Sequence, residues 1–319
     1  MQPWAKRAAN RASNSGPCPA GTVIALIFTT VMRKILHAGP CTCSRDAAMM
    51  SAVISPPPAA SLDLLASVEE LRAWSRTTLA GHVIAVAAGK GGVGKSTLAA
   101  ELAYCLDAVL VDADWDDGCV SRALGWRRET RARSPLLDAL DSGRAPRLIR
   151  GGTTKPDLVP AGPDLEAHQP RPEKFADHLT RWAREWKRPV VIDTHPGSGA
   201  ATYGAMAAAH VVPCPTELGE KDLNALAGWC EKLQGYPLYI VPSQVPKSPA
   251  DSHLDWLDKI AITYDLKVSS EIPRADWLPQ RKARTALCAA KSLSKRNTPM
   301  ISAYITTARE VAERARNAS

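Results

Sequence analysis

The chain has 319 residues, of which 45% are hydrophobic and 23% charged, the composition of a soluble globular protein with one large or two modest domains. Its eight cysteines form no pattern typical of a disulfide framework, and the lone pair Cys41 and Cys43 lacks the second pair that a zinc site needs. A formal net charge of +8 permits a polyanionic partner without requiring one.

The first fifty residues differ in composition from the rest. They hold six Lys or Arg residues and one acidic residue, without clear hydrophobic periodicity. The apolar run 22–32 superficially resembles a signal peptide, but a helix that spans a bilayer needs about 20 apolar residues. We expect residues 1–50 to be a disordered basic extension or, as the favoured alternative, upstream sequence that is not normally translated, with the start at Met49 or Met50.

Residues 51–80 are predicted to form a linker and a helix. Three consecutive prolines in 55–60 are typical of a linker, and 62–79 has the apolar spacing of a helix that packs beside the next domain. Residues 81–319 are predicted to form one α/β domain.

From residue 82 onward, short β-branched apolar runs alternate with helical segments. The runs that predict buried strands are 82–88, 108–114, 189–197, 210–215 and 237–242. The segments that predict helices are 95–106, 173–187, 218–233 and 251–262. Because no hairpin signals interrupt this alternation, it predicts an α/β fold with a mostly parallel sheet flanked by helices.

A phosphate-binding loop lies between the first predicted strand and the first predicted helix. The stretch GKGGVGKST fits the pattern Gly-x-x-x-x-Gly-Lys-Ser, whose glycines let backbone N–H groups point at phosphate oxygens. Lys95 supplies a charge to the β- and γ-phosphates, and the Ser96 hydroxyl is a ligand for Mg²⁺. The predicted nucleotide-binding residues of the loop are Gly89, Lys90, Gly91, Gly92, Val93, Gly94, Lys95, Ser96 and Thr97.

Three aspartates stand at the ends of predicted strands. Asp112 and Asp114 end the second strand and Asp193 ends the third. The carboxyl end of a buried parallel strand lies on the edge of the sheet where ligands bind, which favours roles in holding a metal or orienting water. A turn or helix-cap role is the alternative for any one of them.

Lys90 is a second lysine in the loop, although Lys95 already supplies the charge that contacts the bound phosphates. If two subunits meet across their nucleotides, Lys90 can contact the other subunit's phosphates and neutralise charge that develops in phosphoryl transfer, as an arginine finger does. A solvated loop lysine is the alternative.

The motif KGGVGKST resembles the deviant Walker A motif of the ParA/MinD family of ATPases. VLVDAD resembles the family's second acidic motif and VVIDTHPG its Walker B strand, while DLVPAGPDL, VVPCPTE and SSEIPRADWL resemble later landmarks of the partitioning branch. The resemblance covers about 82–312 and is closest to small ParA-type partitioning ATPases. It implies a P-loop NTPase fold, with ATP and Mg²⁺ as cofactors.

The resemblance also implies roles for individual residues. Lys90 matches the signature lysine that crosses the dimer interface, and Asp114 matches the acid that activates the attacking water. Pro273 and Arg274 match a pair near the adenine. The implied metal site comprises Ser96, Asp112 and Asp193.

The chain departs from the family pattern at two places. Trp115, Asp116, Asp117 and Gly118 follow the second acidic motif where partitioning ATPases usually have DPQGN, and Trp277 replaces a frequent arginine. Residues 267–296 contain eight Lys or Arg against two acids, which fits a solvated helix face or a patch that contacts DNA phosphates. The predicted DNA contacts are Arg274, Arg281, Lys282 and Arg284.

The family resemblance implies a cytoplasmic, nucleoid-associated ATPase for plasmid or chromosome partitioning. It would dimerise with ATP, bind nonspecific DNA, and be released when a ParB-like adaptor stimulates hydrolysis. The main alternative is a MinD-like or other cargo-positioning ATPase that does not act on DNA, but residues 302–319 have too few large apolar residues for a lipid-binding helix, and no membrane is expected. A metabolic P-loop enzyme or an iron–sulfur reductase is a third hypothesis, but a reductase needs a cysteine pair that bridges subunits at the cluster, and this chain has no cysteine at the matching place after Asp193.

Overall fold

The elements of the fold follow one another as strands and helices in alternation. The computed structural model describes residues 64–116, 119–127 and 133–318, so the predictions for residues 1–63 lie outside the described residues. The helices are α1 (Leu64–Thr78), α2 (Lys95–Cys105), α3 (Val120–Ala123), α4 (Pro135–Ser142), α5 (Asp164–Ala167), α6 (Pro172–Trp186), α7 (Ala200–Ala208), α8 (Glu220–Lys232), α9 (Asp251–Thr263) and α10 (Thr298–Asn317). The strands are β1 (Val83–Val86), β2 (Val109–Ala113), β3 (Asp157–Val159), β4 (Val190–Thr194), β5 (Val212–Thr216), β6 (Leu238–Pro242) and β7 (Lys267–Val268).

The seven described strands form a parallel sheet. β1, β4, β2 and β3 pair side by side in that order, and β5, β6 and β7 pair in a second run. The two runs meet at β1, where the Ala87 N–H donates to the Pro213 carbonyl (3.1 Å) and the His210 N–H donates to the Val83 carbonyl (2.9 Å). The resulting order is β3-β2-β4-β1-β5-β6-β7, which confirms the predicted parallel sheet flanked by helices.

The sheet separates two hydrophobic cores. Successive residues of β1 face opposite cores: Val83 and Ala85 pack on one side, Ile84 and Val86 on the other. Helix α6 covers the first side, while α1, α2 and α10 cover the second. Burial on both faces explains why the strands are continuous apolar runs rather than alternating ones.

A cluster of charged side chains joins helix α1 to the turn between α2 and β2. Asp107, at a positive φ of 47°, accepts from Arg72 (2.7 Å to Oδ1) and from Arg76 (2.7 Å to Oδ2). The side chains of Asp107 and Arg72 are only 9% and 15% exposed, so the pair is largely removed from water.

Asp107→Ala should lower the free energy of unfolding by about 2 kcal/mol, because it removes the carboxylate that accepts from the largely buried guanidinium of Arg72. Urea unfolding measures the change. Glu69→Ala is the matched control, since Glu69 also contacts Arg72 (3.7 Å to Nε) but is 71% exposed, and exposed pairs contribute about 0–1 kcal/mol. Equal losses for the two variants would show that the Asp107 cluster does not anchor α1.

Candidate nucleotide-binding site

The loop 87–94 and the ends of β2 and β4 meet at one edge of the sheet. The loop leaves the carboxyl end of β1 and enters α2. In the strand register, Asp193 lies opposite Val86 on one side and opposite Asp112 on the other. The sheet therefore brings the loop and the predicted acids together, as their positions at the carboxyl ends of parallel strands had suggested.

The glycines of the loop allow a backbone conformation that the two residues after β6 hold in place. Gly92 and Gly94 have φ of 83° and 89°, a region that residues with a side chain rarely adopt. The Ser243 hydroxyl donates to the Val93 carbonyl (2.7 Å), and the Gln244 amide donates to the Gly92 carbonyl (2.9 Å). A Cβ on Gly94 would also lie 3.1 Å from the Ser243 oxygen. Because these contacts use carbonyl oxygens, they leave N–H groups of the loop for an anion.

Lys95 lies at the centre of the site, buried between two acids. Its Nζ is 3.1 Å from Asp193 Oδ1 and 3.4 Å from Asp114 Oδ2. Burial lowers the pKa of Lys95, but the two carboxylates outweigh burial, so this pKa lies above its ordinary value. The lysine is therefore charged, as a phosphate-binding lysine must be.

Asp193 has an oxygen that fits a metal ion or its water. The residue is fully buried, and among the described residues its Oδ2 has no hydrogen-bond partner. Burial raises the pKa of Asp193, and the nearby Lys95 charge and Ser96 hydroxyl only partly oppose the rise. A buried, unpaired carboxylate oxygen close to a hydroxyl is a suitable place for Mg²⁺, which prefers oxygen ligands and keeps several waters.

Asp112 is engaged by the protein itself. Its Oδ2 accepts from the backbone N–H of Ser121 (3.0 Å) and from the Ser121 hydroxyl, and its Oδ1 accepts from the Asp114 N–H (3.1 Å). Burial and the neighbouring Asp193 raise the pKa of Asp112 to about 7, although the Ser121 hydrogen bonds act in the opposite direction. The contacts show Asp112 bracing α3 and the chain around Asp114; its role as a metal ligand stays a prediction.

Asp114 has a neighbour that the sequence did not single out. His195 Nδ1 lies 2.9 Å from Asp114 Oδ1 and 3.7 Å from Asp116 Oδ2. The imidazole stacks on the indole of Trp115, with ring centroids 3.8 Å apart and planes 12° from parallel. The available signal was the position of His195, two residues after the Walker B-like aspartate.

Lys90 points away from the buried centre of the site. Its Nζ is 2.6 Å from Asp222 Oδ1 on α8, and its side chain is 46% exposed. The same helix touches the start of the loop, where a Cβ on Gly89 would lie 3.2 Å from the Trp229 ring. The two loop lysines therefore differ in surroundings: Lys95 is buried against two site acids, whereas Lys90 lies at the surface.

The segment with Pro273 and Arg274 runs close to the loop. Pro273 pairs with Val245, and the Arg274 N–H donates to the Val245 carbonyl (2.8 Å), next to the two residues that hold the loop. The Arg274 side chain is exposed and pairs with Asp276 (2.9 Å). The structure brings this pair near the site, and contact with a nucleotide base stays a prediction.

The predicted DNA contacts have different surroundings. Arg281 donates to the Thr285 carbonyl (2.6 Å) and hydroxyl (2.8 Å), so its guanidinium is engaged by its own loop. Lys282 and Arg284 are exposed. The guanidinium of Arg296 lies 4.8 Å from the centre of the Trp277 ring, a cation–π contact.

Two cavities adjoin residues of the candidate site. One, of about 710 Å³, is lined by residues that include Ser96, Thr97 and Lys282. The other, of about 680 Å³, is lined by residues that include Asp114 and Trp115. Ligand sites commonly have volumes of this order, and here both adjoin the phosphate-binding loop or its acids.

Known proteins share the sequence pattern and the fold. The family model described as the CobQ/CobB/MinD/ParA nucleotide binding domain matches residues 84–287. The chromosome partitioning protein ParA of Caulobacter vibrioides is 35% identical over 173 residues, which is 48% of this chain and 64% of that protein. The chain thus matches less than two thirds of the length of that relative.

Solved structures agree with this likeness. McdA of Cyanothece in complex with ATP superimposes with a TM-score of 0.59 at 17% identity, over 72% of this chain and 95% of that chain. Cobyrinic acid a,c-diamide synthase from Mycobacterium smegmatis, with a bound ATP analogue and magnesium, gives a TM-score of 0.51 at 26% identity, over 65% and 90%. The match of the family model over residues 84–287 shows that the chain belongs to the CobQ/CobB/MinD/ParA family of nucleotide-binding domains, as the loop motif predicted.

Proposed function

We propose that this protein is a ParA-type ATPase for plasmid or chromosome partitioning. It binds ATP with Mg²⁺, forms a sandwich dimer across two nucleotides, holds nonspecific DNA in that state, and releases it when a ParB-like adaptor stimulates hydrolysis. The observation that carries the proposal is the contrast between the two loop lysines: Lys95 is buried against two site acids, whereas Lys90 is half-exposed at the surface, where a second subunit can contact it.

Within one subunit, each charged group has a distinct task. Lys95 binds the β- and γ-phosphates, and Ser96 with Asp193 holds Mg²⁺, which neutralises charge on the phosphate oxygens. Asp114 orients the attacking water. Asp112 is best assigned a supporting role, because both of its oxygens already accept hydrogen bonds.

Lys90 is free to change partners when two subunits meet. Its ion pair with Asp222 is half-exposed on the lysine side, and such surface pairs contribute only about 0–1 kcal/mol. The phosphates of a facing nucleotide carry several negative charges and compete easily with one carboxylate. Lys90 then stabilises charge at the partner's site during hydrolysis.

The DNA-binding surface is smaller than the basic composition of 267–296 suggests. Lys282, Arg284 and Arg296 are exposed, while the guanidinium of Arg281 donates hydrogen bonds within its own loop. Trp277 holds Arg296 by a cation–π contact, so the tryptophan still presents a cation in this region. The name of the Caulobacter relative, a chromosome partitioning protein, supports DNA as the partner.

With ATP, the protein should bind duplex DNA of arbitrary sequence, and its affinity should fall roughly a thousandfold from 50 to 200 mM salt. That loss corresponds to about six phosphate contacts, which two paired subunits would share. Fluorescence anisotropy at several salt concentrations measures it. DNA binding that is the same with and without ATP would contradict the proposal.

Lys282→Glu combined with Arg284→Glu should weaken binding to all DNA sequences alike and leave ATP-dependent dimerisation intact. Arg171→Glu combined with Lys174→Glu is the matched control, because both residues are exposed at the start of α6, which covers the other side of the sheet. Equal affinity of the double variant and the control would place DNA binding elsewhere.

A cargo-positioning ATPase that does not act on DNA is the second candidate. The engagement of Arg281 by its own loop favours it, because fewer free cations remain for phosphate contacts. Membrane attachment through the last helix has less support, since the apolar residues of α10, among them Ile301 and Ile305, pack in the core. None of the helices in the described part of the chain has the length and apolar character of a membrane span.

A further inference from the structure

The carboxylate of Asp114 is held from several directions. Oδ1 accepts from the Asp116 N–H (3.2 Å) and lies 2.9 Å from His195 Nδ1, while Oδ2 faces Lys95 (3.4 Å). A carboxylate only accepts hydrogen bonds, so the short contact requires the proton of the imidazole to lie on Nδ1. The two oxygens of Asp114 thus have different partners.

His195 is itself held through its ring and its backbone. Trp115 stacks on its ring, and a Cβ on Gly199 would lie 3.3 Å from the far edge of the indole, so the indole is packed against the start of α7. The Thr202 hydroxyl donates to the His195 carbonyl (3.2 Å). The Gly197 N–H donates to the Ala88 carbonyl (3.0 Å), which joins the His195 loop to the phosphate-binding loop.

We propose that His195 is a positioning residue for hydrolysis: through its Nδ1–H it holds Oδ1 of Asp114 and leaves Oδ2 as the oxygen that accepts from the attacking water. This inference rests on the proposed function, in which Asp114 orients that water. When Lys95 turns to the phosphates of bound ATP, Oδ2 loses its cationic neighbour, whereas Oδ1 keeps both of its donors. His195 and the Asp116 N–H therefore hold Oδ1 together, and Oδ2 is the oxygen left available.

The same arrangement separates hydrolysis from binding. His195 contacts Asp114, Asp116 and Trp115, whereas the groups that hold the loop carbonyls, Ser243 and Gln244, follow the end of β6. Loss of the imidazole therefore removes the shorter of the two contacts to Asp114 Oδ1 and loosens the carboxylate, without removing a group that holds phosphate. The expected signature is a change in kcat with little change in KM for ATP.

His195→Leu should lower kcat about 10- to 100-fold at saturating Mg-ATP, the range expected for one lost hydrogen bond to a charged group, with KM for ATP near the wild-type value. His195→Asn should restore most of kcat, because its side-chain N–H₂ occupies the place of Nδ1. His195→Gln should not, because its N–H₂ lies one bond further out. His178→Asn on α6 is the control, since His178 contacts Arg181 and Trp182.

The outcomes separate this inference from the function on which it rests. If Asp114→Ala is inactive but His195→Leu keeps the wild-type kcat, the positioning role fails and the proposed function stands. If His195→Asn is as slow as His195→Leu while both unfold at the wild-type temperature, the ring and not the donor matters, and the inference is wrong. Wild-type protein that hydrolyses no ATP would overturn both.

A bound metal ion is the competing explanation for the cluster of Asp114, Asp116 and His195, because their ligand atoms lie within 4.8 Å of one another. Co²⁺ added to the full chain tests this. We expect the wild-type protein and His195→Leu to give the same Co²⁺ absorption spectrum, without a band that depends on His195. A band that is present in the wild type and absent in His195→Leu would overturn the inference, since the imidazole nitrogen would then coordinate a metal instead of donating to Asp114.

Discussion

Lys95→Ala should weaken ATP binding by about 100-fold or more. Its ammonium lies at the centre of the site, 3.1 Å from Asp193 and 3.4 Å from Asp114, and no other described lysine is buried there. A charge-assisted contact to the β- and γ-phosphates is lost, and two buried carboxylates face the nucleotide without a counter-charge. Isothermal titration with ATP and Mg²⁺ measures the effect.

Lys90→Ala is the matched control for this experiment, since it removes a lysine of the same loop that is half-exposed and pairs with α8. It should retain ATP affinity. Thermal unfolding of both variants confirms that each is folded. Near-normal ATP affinity in folded Lys95→Ala protein would show that the loop does not bind phosphate in the proposed way.

The second large effect concerns dimerisation. Lys90→Ala should prevent the ATP-dependent dimer and lower hydrolysis about a thousandfold, the scale on which a cation supplied across an interface acts in phosphoryl transfer. Asp114→Ala should act oppositely: it blocks hydrolysis and leaves an ATP-bound dimer that persists. Sedimentation velocity with ATP distinguishes the two species.

Asp222→Asn provides the control for Lys90, because it breaks the intramolecular ion pair and keeps the lysine. This variant should dimerise at least as well as the wild type. If Lys90→Ala and Asp114→Ala both sediment as the same monomer, a dimer across the nucleotides is excluded.

Long apolar runs and the loop motif made most of the architecture predictable. All five predicted strands occur, as β1, β2, β4, β5 and β6, because strands buried on both faces need continuous apolar residues. The strands β3 and β7 were not predicted, since three and two residues are too few to show a pattern. The meeting of Asp114, Asp193 and the loop followed from the rule that ligands bind at the carboxyl ends of parallel strands.

Contacts between distant side chains could not be predicted. Nothing in the sequence pairs His195 with Asp114, 81 residues away, or Lys90 with Asp222, 132 residues away. Arg281 shows that a local contact can be missed as well. Its charge predicted a DNA contact, but the Thr285 oxygens, four residues away, accept from its guanidinium. Asp117 and Gly118, which depart from the family pattern, lie outside the described residues.

The most direct test of the sandwich dimer is ATP hydrolysis by a mixture of two inactive variants, Lys90→Ala and Asp114→Ala. In a mixed dimer, the Lys90→Ala subunit keeps Asp114 and receives Lys90 from its partner, so one site is complete. We predict that mixing restores hydrolysis that neither variant shows alone, as expected for a cation that acts across the interface. A mixture as inactive as its components would contradict the account, because Lys90 would then not act on the partner's nucleotide.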